Sequence, residues 1–286
     1  MFCRFSKRLS ALIVALILLA ACALPVSAAS KKATVYIRGR QVSFSPAACM
    51  VGDETYVPLR EFAEALDPRV EISWNEERQR ATVTMSGLTL EVTQGWSFIV
   101  ANGHYLYLGG RVRNWEGSLM LPVSPLADGF GVEIDWDEET NTVSVTGEVK
   151  PISYAYYDDY TLYWLSHIIH AEAGVESMEG KIAVGNVVMN RVHNAYWSSD
   201  IYDVIFDNSC GVQFSPTEDG SIYQDPSEES IAAAKMVLDG ADVAGNSLFF
   251  VNPDIGYTGW FERNCELVAV IGNHDFYTAE YYFDGF

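Results

Sequence analysis

Basic residues are scarce in this sequence. Its 286 residues include 18 lysines and arginines against 38 aspartates and glutamates, which gives a formal net charge of −20. A chain of this sign is repelled by a phosphate backbone, so nucleic acid is excluded as a partner. Apolar residues make up 49% of the chain, which excludes a disordered protein and, at this length, favours two domains with ordinary cores.

Cysteine is also scarce, with five residues in the whole chain and no Cys-x-x-Cys pair. The zinc motif His-Glu-x-x-His and the serine motif Gly-x-Ser-x-Gly are absent as well, so we predict neither a metal nor a cofactor. Cys210 and Cys265 are the one pair in the second half. Export would permit a disulfide between them, and two buried free cysteines are the alternative.

The first 28 residues have the order of a secretory signal peptide. Three basic residues precede an apolar run over 11–24, and the small residues 26–28 follow it. The run is shorter than the roughly 20 residues of a membrane span. We therefore predict a signal peptide over 1–28 and a secreted or cell-envelope protein. The alternative is a lipoprotein anchored at Cys22, because residues 19–22 resemble a lipobox.

Residues 33–147 contain an internal repeat. The segment Tyr-Val-Pro-Leu at 56–59 recurs as Met-Leu-Pro-Val at 120–123, and Trp-Asn-Glu-Glu at 74–77 recurs as Trp-Asp-Glu-Glu at 136–139. Each copy predicts a short helix, a strand that ends in tryptophan, an acidic turn and a return strand. Apolar residues at helical spacing support the first helix, namely Leu59, Phe62, Ala63 and Leu66.

These signatures resemble the copper amine oxidase N-terminal-like domain, a small α+β module of secreted bacterial proteins. Copper has little support here, because the module has one histidine, His104, and one cysteine, Cys49, whereas Cu(II) sites use several imidazoles. We therefore expect a spacer or a module that contacts the cell wall.

A linker is predicted at 148–159, and the pattern from residue 160 to 286 becomes mainly helical with a small sheet. Apolar segments indicate one helix before residue 173 and another over 178–192. A third helix is predicted with Asp225 as N-cap, Pro226 as its first residue and Gly240 as C-cap. Residues 247–251 predict a short buried strand.

Glu172 occupies an unusual place in the first of these helices. It continues the apolar stripe of Leu165, Ile168 and Ile169 at the i+7 position. Burial raises the pKa of a carboxyl, and such a group can donate a proton near neutral pH. The alternatives are a fraying helix end or an ion pair with a cation such as Arg191.

The neighbouring histidines point away from Glu172. At about 100° per residue, His167 and His170 lie roughly 140° and 160° around the helix from it. Two histidines three residues apart could share a zinc ion, but packing or solvated roles are more common.

Five segments in the second half resemble the SleB-type cell-wall hydrolase family, known from spore-cortex-lytic enzymes. They occur in the family's order over about 162–278, at 170–174, 179–192, 213–216, 249–253 and 271–277. The resemblance implies a lysozyme-like catalytic domain, and thus an α+β chain overall. It also implies a lytic transglycosylase that cleaves the peptidoglycan glycan strand between N-acetylmuramic acid and N-acetylglucosamine.

By this resemblance the catalytic glutamate is Glu172, acting alone as acid and base. The family often has Gly-Glu directly after the catalytic Glu-Ala, whereas here Val175 separates Gly174 from Glu176, which leaves the matching role of Glu176 open. An ordinary glycosidase would need a second carboxylate about 5–9.5 Å away, for which Glu179 is the nearest candidate. The residues placed around the sugar groove are Gln213, Phe214, Ser215, Asn252, His274 and Tyr277.

Two other functions remain open, an N-acetylmuramoyl-L-alanine amidase and a non-catalytic wall-binding protein. The sequence does not distinguish spore cortex from vegetative wall as substrate, and it does not indicate an oligomeric state. Acidity is concentrated in the second half, where residues 151–286 carry 21 acidic and 4 basic residues against 17 and 11 in residues 29–150. We hypothesise that this acidity helps to keep Glu172 protonated.

Overall fold

The computed structural model describes residues 32–85, 87–209, 211–256 and 258–279. The predicted signal peptide, Cys22 and Cys210 lie outside these ranges. The described chain consists of a sheet-rich first module followed by a mainly helical second module with a small sheet, so the predicted α+β fold class is confirmed.

The first module is built from short strands arranged in three sheets. Their orders are β12-β13-β1-β2, β10-β11-β4-β3 and β5-β6-β7-β8-β9. The strands are β1 Thr34–Ile37, β2 Arg40–Val42, β3 Cys49–Val51, β4 Glu54–Pro58, β5 Glu71–Asn75, β6 Arg80–Met85, β7 Leu88–Thr93, β8 Phe98–Ala101, β9 His104–Tyr107, β10 Arg113–Trp115, β11 Ser118–Pro122, β12 Glu133–Asp137 and β13 Thr142–Thr146.

The two copies of the repeat pair with each other at the centre of this module. Strands β4 and β11 are antiparallel, with Pro58 opposite Met120 and Pro122 opposite Tyr56. Each strand leads directly into a short helix, α1 at Leu59–Leu66 or α2 at Val123–Phe130. Helix α1 buries the four apolar residues that the sequence pattern selects, which confirms that helix. The repeat therefore folds as two equivalent strand–helix units.

The second module contains three longer helices, α3 at Asp159–Ala173, α4 at Met178–Val192 and α7 at Glu228–Leu238. Gly185 permits their close contact, because a Cβ atom there would lie 2.8 Å from Ile169 and 2.9 Å from Val237. The remaining elements are the short helices α5 Ile201–Ile205, α6 Pro216–Asp219 and α8 Phe261–Asn264, a 3₁₀ turn at Ser221–Tyr223, and the strands β14 Phe249–Val251, β15 Glu266–Ile271 and β16 His274–Thr278, which form a sheet of order β14-β16-β15.

The start of α7 differs from the sequence prediction. Ser227, not Asp225, is the N-cap, and its Oγ accepts the backbone N–H of Ser230 at 3.2 Å. Pro226 therefore precedes the helix, and the cap at the other end is Asp239. Gly240 follows in the left-handed region with φ of 94°. Aspartate and serine are both good N-cap residues, so residue preference alone does not decide between Asp225 and Ser227.

The two modules share a buried interface. Phe98 of β8 belongs to the same apolar cluster as Ile168 and Ala233 of the second module. Asp239, at the end of α7, accepts the backbone N–H of Tyr105 at 2.7 Å, and one of its oxygens lies 2.6 Å from His104 Nδ1. The carboxylate thus fastens the second module to strand β9.

The segment predicted as a linker is bonded to the first module. Lys150 N–H donates to Phe130 O at 3.2 Å, and Ala155 N–H donates to Asn102 O at 2.9 Å. Asn102 Nδ2 in turn donates to Ile152 O at 2.7 Å. These bonds hold the segment against the first module as far as residue 155. Within the described ranges, no helix combines the length and apolarity that crossing a bilayer requires.

Candidate active site

Glu172 lies in the last turn of α3 and faces an open cleft. Leu165, Ile168 and Ile169, which precede it on the helix, are fully buried, and Glu172 itself is half-buried. Burial raises the pKa of Glu172 to about 7, and the negative charge of Asp219 adds to the increase. At neutral pH both the protonated and the ionised form of Glu172 are therefore populated. A group that first donates and then accepts a proton needs both forms.

The cleft has a volume of about 960 Å³ and is lined by residues of the second module. One wall comes from the loop between α5 and α6, and the other from β14 and the residues after it. The lining residues are Glu172, Arg191, Tyr196, Trp197, Asp207, Ser209, Val212, Gln213, Phe214, Ser215, Phe249, Phe250, Val251, Asn252, Ile255, Gly256, Trp260, Phe261 and His274. Aromatic rings and side-chain amides are the groups that suit a sugar polymer.

Five of the residues placed around the sugar groove line the cleft with Glu172. Gln213, Ser215 and Asn252 present polar groups to it, and His274 lies edge-on to Phe250 with ring centroids 5.5 Å apart. Phe214 has only 1% of its surface exposed. The Phe214 ring therefore supports the wall rather than offering a face to a ligand.

The structure does not bring Tyr277 and Glu179 to the cleft. The Tyr277 ring is buried behind Phe261 and stacks on it with centroids 5.4 Å apart. Glu179 is exposed in the first turn of α4, where its charge acts on Tyr107 of the first module. Both side chains project from elements that border the site, but from faces turned away from it.

Glu176 also has a structural contact outside the cleft. Its Oε1 accepts Asn273 Nδ2 at 3.0 Å, in the turn between β15 and β16. Gly272 allows this approach, since a Cβ atom there would lie 2.6 Å from Glu176 Oε2. Glu176 therefore ties the loop after α3 to the hairpin that carries His274.

Arg191 is a buried cation in the wall of the cleft. Its side chain is 3% exposed, and its Nε donates to Leu248 O at 2.7 Å. The guanidinium lies over the rings of Phe214, Phe249 and Trp197, at 5.1, 5.2 and 5.5 Å from their centroids. Burial lowers the pKa of Arg191 to about 10, an effect that the charge of Asp207 opposes, so the group stays charged at neutral pH.

An ion pair between Arg191 and Glu172 was one alternative for the glutamate. Among the ion pairs of the described residues, none joins these two side chains. Sequence reasoning missed Arg191 as a cleft residue, although a signal was present. Val184 and Val188 are fully buried, and Arg191 continues their stripe at i+7, as Glu172 does on α3.

Asp207, Trp197 and Trp260 are further cleft residues that no local pattern indicated. Asp207 Oδ1 accepts the backbone N–H of Ser209 at 2.9 Å. It is thus a second carboxylate in the cleft, in place of Glu179. The three residues lie in loops or at helix ends, so only the folded chain brings them together.

The two histidines of α3 have separate partners. His167 Nδ1 lies 2.8 Å from Ile222 O in a buried position, whereas His170 Nδ1 lies 3.3 Å from Ser230 Oγ. Across the described ranges, no group of three or more potential metal ligands is found. Cys265 is half-buried, and its predicted partner Cys210 lies outside the described residues, so their disulfide stays a prediction.

Comparison with known families identifies both modules. Residues 36–145 match the copper amine oxidase N-terminal domain, and residues 175–277 match the cell wall hydrolase family. The second match begins three residues after Glu172. Both resemblances read from the sequence are confirmed.

Similar proteins include spore cortex-lytic enzymes. That of Oceanobacillus iheyensis is 29% identical over 120 residues, which are 42% of each chain, and that of Halalkalibacterium halodurans is 29% identical over 140 residues, 49% of this chain and 40% of the other. The chain thus spans less than half the length of these relatives.

Among solved structures, the catalytic domain of the germination-specific lytic transglycosylase SleB from Bacillus anthracis is 29% identical. The match covers 43% of this chain and 97% of the SleB chain, with a TM-score of 0.39. On the family matches, the chain carries a copper amine oxidase N-terminal domain followed by a cell wall hydrolase domain.

Proposed function

We propose that this protein cleaves the glycan strand of peptidoglycan as a lytic transglycosylase, with Glu172 as the acid and base. The observation that carries the proposal is a half-buried carboxyl with a pKa of about 7 that faces an open cleft of about 960 Å³. The cell wall hydrolase domain and the spore cortex-lytic relatives support the class of substrate.

The chemistry needs one carboxyl in two protonation states. Protonated Glu172 donates to the oxygen between N-acetylmuramic acid and N-acetylglucosamine as the bond from that oxygen to muramic C1 breaks. The resulting carboxylate takes the proton of the muramic C6 hydroxyl, whose oxygen then bonds to C1. The product is a 1,6-anhydro ring, no water is consumed, and Glu172 regains its proton.

The other carboxylate of the cleft has a different task. Asp207 accepts a backbone N–H in its own loop, and its charge stabilises the buried Arg191 guanidinium. These contacts favour Glu172 as the sole proton-transfer group. Hydrolysis with Asp207 as the second carboxylate is the alternative reaction of the same cleft.

The test is mass spectrometry of products released from purified sacculi by the wild type and by Glu172→Gln. Exposed Glu218, next to Asp219, supplies the control variant Glu218→Gln. We expect anhydro-muropeptides from the wild type and from the control, and none from Glu172→Gln. Spore cortex and vegetative sacculi are digested in parallel, which identifies the preferred wall.

Each other product pattern would overturn the proposal in a recognisable way. If the wild type releases fragments with reducing ends and Asp207→Asn does not, the reaction is hydrolysis. Released stem peptides with intact glycan indicate an amidase. Binding to sacculi without soluble product indicates a wall-binding protein.

We also propose that the protein is exported, because its proposed substrate lies outside the cytoplasmic membrane. The residues that support this are the basic, apolar and small-residue segments of positions 1–28. Intact-mass analysis of the mature protein tests it. Cleavage after Ala28 is expected, a lipid-modified Cys22 would show the lipoprotein route, and an uncleaved chain in the cytoplasm would contradict export.

A further inference from the structure

The first module has its own cleft, built around an exposed tryptophan. Its volume is about 360 Å³, and it lies between strand β5, the start of α1 and the hairpin of β10 and β11. Trp74, near the end of β5, is 43% exposed. All of its lining residues belong to the first module, so this cleft is separate from the one that contains Glu172.

Hydrogen bonds fix the orientation of the Trp74 ring. The indole Nε1 donates to Glu76 Oε2 at 2.6 Å, and Gln79 Nε2 donates to Glu76 Oε1 at 3.1 Å. These two bonds, from Trp74 first and Gln79 second, lower the pKa of Glu76 and keep it ionised. Across the strand pair the neighbour of Trp74 is Ala81, a small residue that leaves room beside the ring. The ring is thus held in place with 43% of the residue's surface exposed at the cleft.

Polar side chains surround this aromatic surface. Asn114 and Ser118 lie on the hairpin side of the cleft, and Arg60 lies on the helix side. They bring an amide, a hydroxyl and a guanidinium to its rim. A pyranose ring has the complementary form, with an apolar C–H face and a rim of hydroxyl and acetamido groups. Within the protein, Asn114 Nδ2 donates to Gln94 Oε1 at 3.0 Å, and Arg60 pairs with Glu64 at 3.6 Å, so these rim groups are held in position.

The second copy of the repeat provides an internal comparison. Trp136 on β12 corresponds to Trp74 and is almost as exposed, at 38% against 43%. Its cross-strand neighbour is the larger Val143, where Trp74 has Ala81. Trp136 also lies outside the cleft. The two tryptophans therefore share a strand position and exposure but differ in surroundings.

We propose that the cleft around Trp74 binds the N-acetylated glycan strand of the cell wall. This inference rests on the proposed function for its choice of polymer. Because Asp239 and the shared apolar cluster join the two modules, a strand held at the Trp74 cleft stays close to the Glu172 cleft of the same molecule. A strand held at the first cleft raises the local concentration of glycan at the second, which increases binding of a long polymer without new contacts at Glu172.

The experiment measures binding of the full chain to purified sacculi by sedimentation. All proteins carry Glu172→Gln, so the result does not depend on cleavage of the strand. Trp74→Ala and Trp136→Ala are compared in this background. We expect Trp74→Ala to raise the Kd about tenfold, since loss of about 1.4 kcal/mol has that effect, and Trp136→Ala to leave it within about twofold. Trp74→Phe keeps an aromatic face, so its Kd should lie between those of Trp74→Ala and Trp136→Ala.

Several results would overturn the proposal. Trp74→Ala could bind as tightly as its parent, or Trp136→Ala could weaken binding equally, which would indicate a general effect of surface tryptophans. If the parent binds untreated sacculi but not sacculi stripped of protein and attached polymers, the ligand is not the glycan. None of these results bears on glycan cleavage, which the products of the Glu172-intact chain test separately.

Discussion

The substitution Glu172→Gln should make the protein more stable at high pH. Burial holds the pKa of Glu172 at about 7 in the folded chain, whereas its ordinary value is 4.5. Between these two pH values the folded chain keeps a proton that the unfolded chain has released. Stability therefore falls as pH rises through this window, and the loss is complete above pH 7.

The two pKa values set the size of the effect. Each pH unit between the folded and unfolded pKa is worth about 1.4 kcal/mol, so ionised Glu172 lowers the free energy of unfolding by about 3 kcal/mol at pH 8. At pH 5 the same relation gives a decrease of less than about 1 kcal/mol in the free energy of unfolding. Glutamine has no charge to bury, so the variant should exceed the wild type by about these amounts.

Urea unfolding at pH 5 and pH 8 measures the difference, with the slope of the transition checked for constancy. Glu218→Gln is the control. Glu218 is exposed and lies beside Asp219 in α6, but unlike Asp219 it does not contribute to the raised pKa of Glu172. An equal gain for Glu172→Gln at both pH values, or no gain at pH 8, would refute the conclusion that burial holds this carboxyl protonated.

Three further substitutions test the site and the module interface. Asp219→Asn removes the charge that adds to the effect of burial on the pKa of Glu172. It should lower the high-pH limit of the proposed glycan cleavage by less than one pH unit, whereas Glu218→Gln should leave that limit unchanged. Asp239→Asn replaces a buried acceptor between the modules and should cost about 2 kcal/mol, with faster proteolysis over 148–158. Arg191→Met removes a cation from three aromatic rings and should lower Tm by several degrees, for a loss of about 2 kcal/mol.

Local periodicity predicted the parts of the site that depend on a single element. Glu172 follows from the apolar stripe of α3 alone, because a helix places residue i+7 on the same face as residue i. The repeat predicts Trp74 and Trp136 at equivalent strand ends; in the structure each is the last residue but one of its strand, and both rings are exposed.

Contacts between distant segments were beyond such patterns. Asp207 reaches the cleft through a loop, and Asp239 meets Tyr105 from 134 positions away. Nearness in sequence to Glu172 makes Glu179 the candidate for a second carboxylate, but the turn between α3 and α4 directs its side chain toward the first module. The direction of a side chain after a turn depends on tertiary packing, which the spacing of residues does not record.

The large net negative charge of the chain is not the main cause of the raised pKa of Glu172. The chain carries a net charge of −20, most of it in the second module, and a field of that sign favours a protonated carboxyl. Burial is instead the main cause of the raised pKa of Glu172, and the charge of Asp219 is the second. Salt screens the charge of an exposed carboxylate but leaves burial unchanged. Added salt should therefore lower the pKa of Glu172 no further than Asp219→Asn does, and a larger decrease would show that the collective field of the module acts on this group.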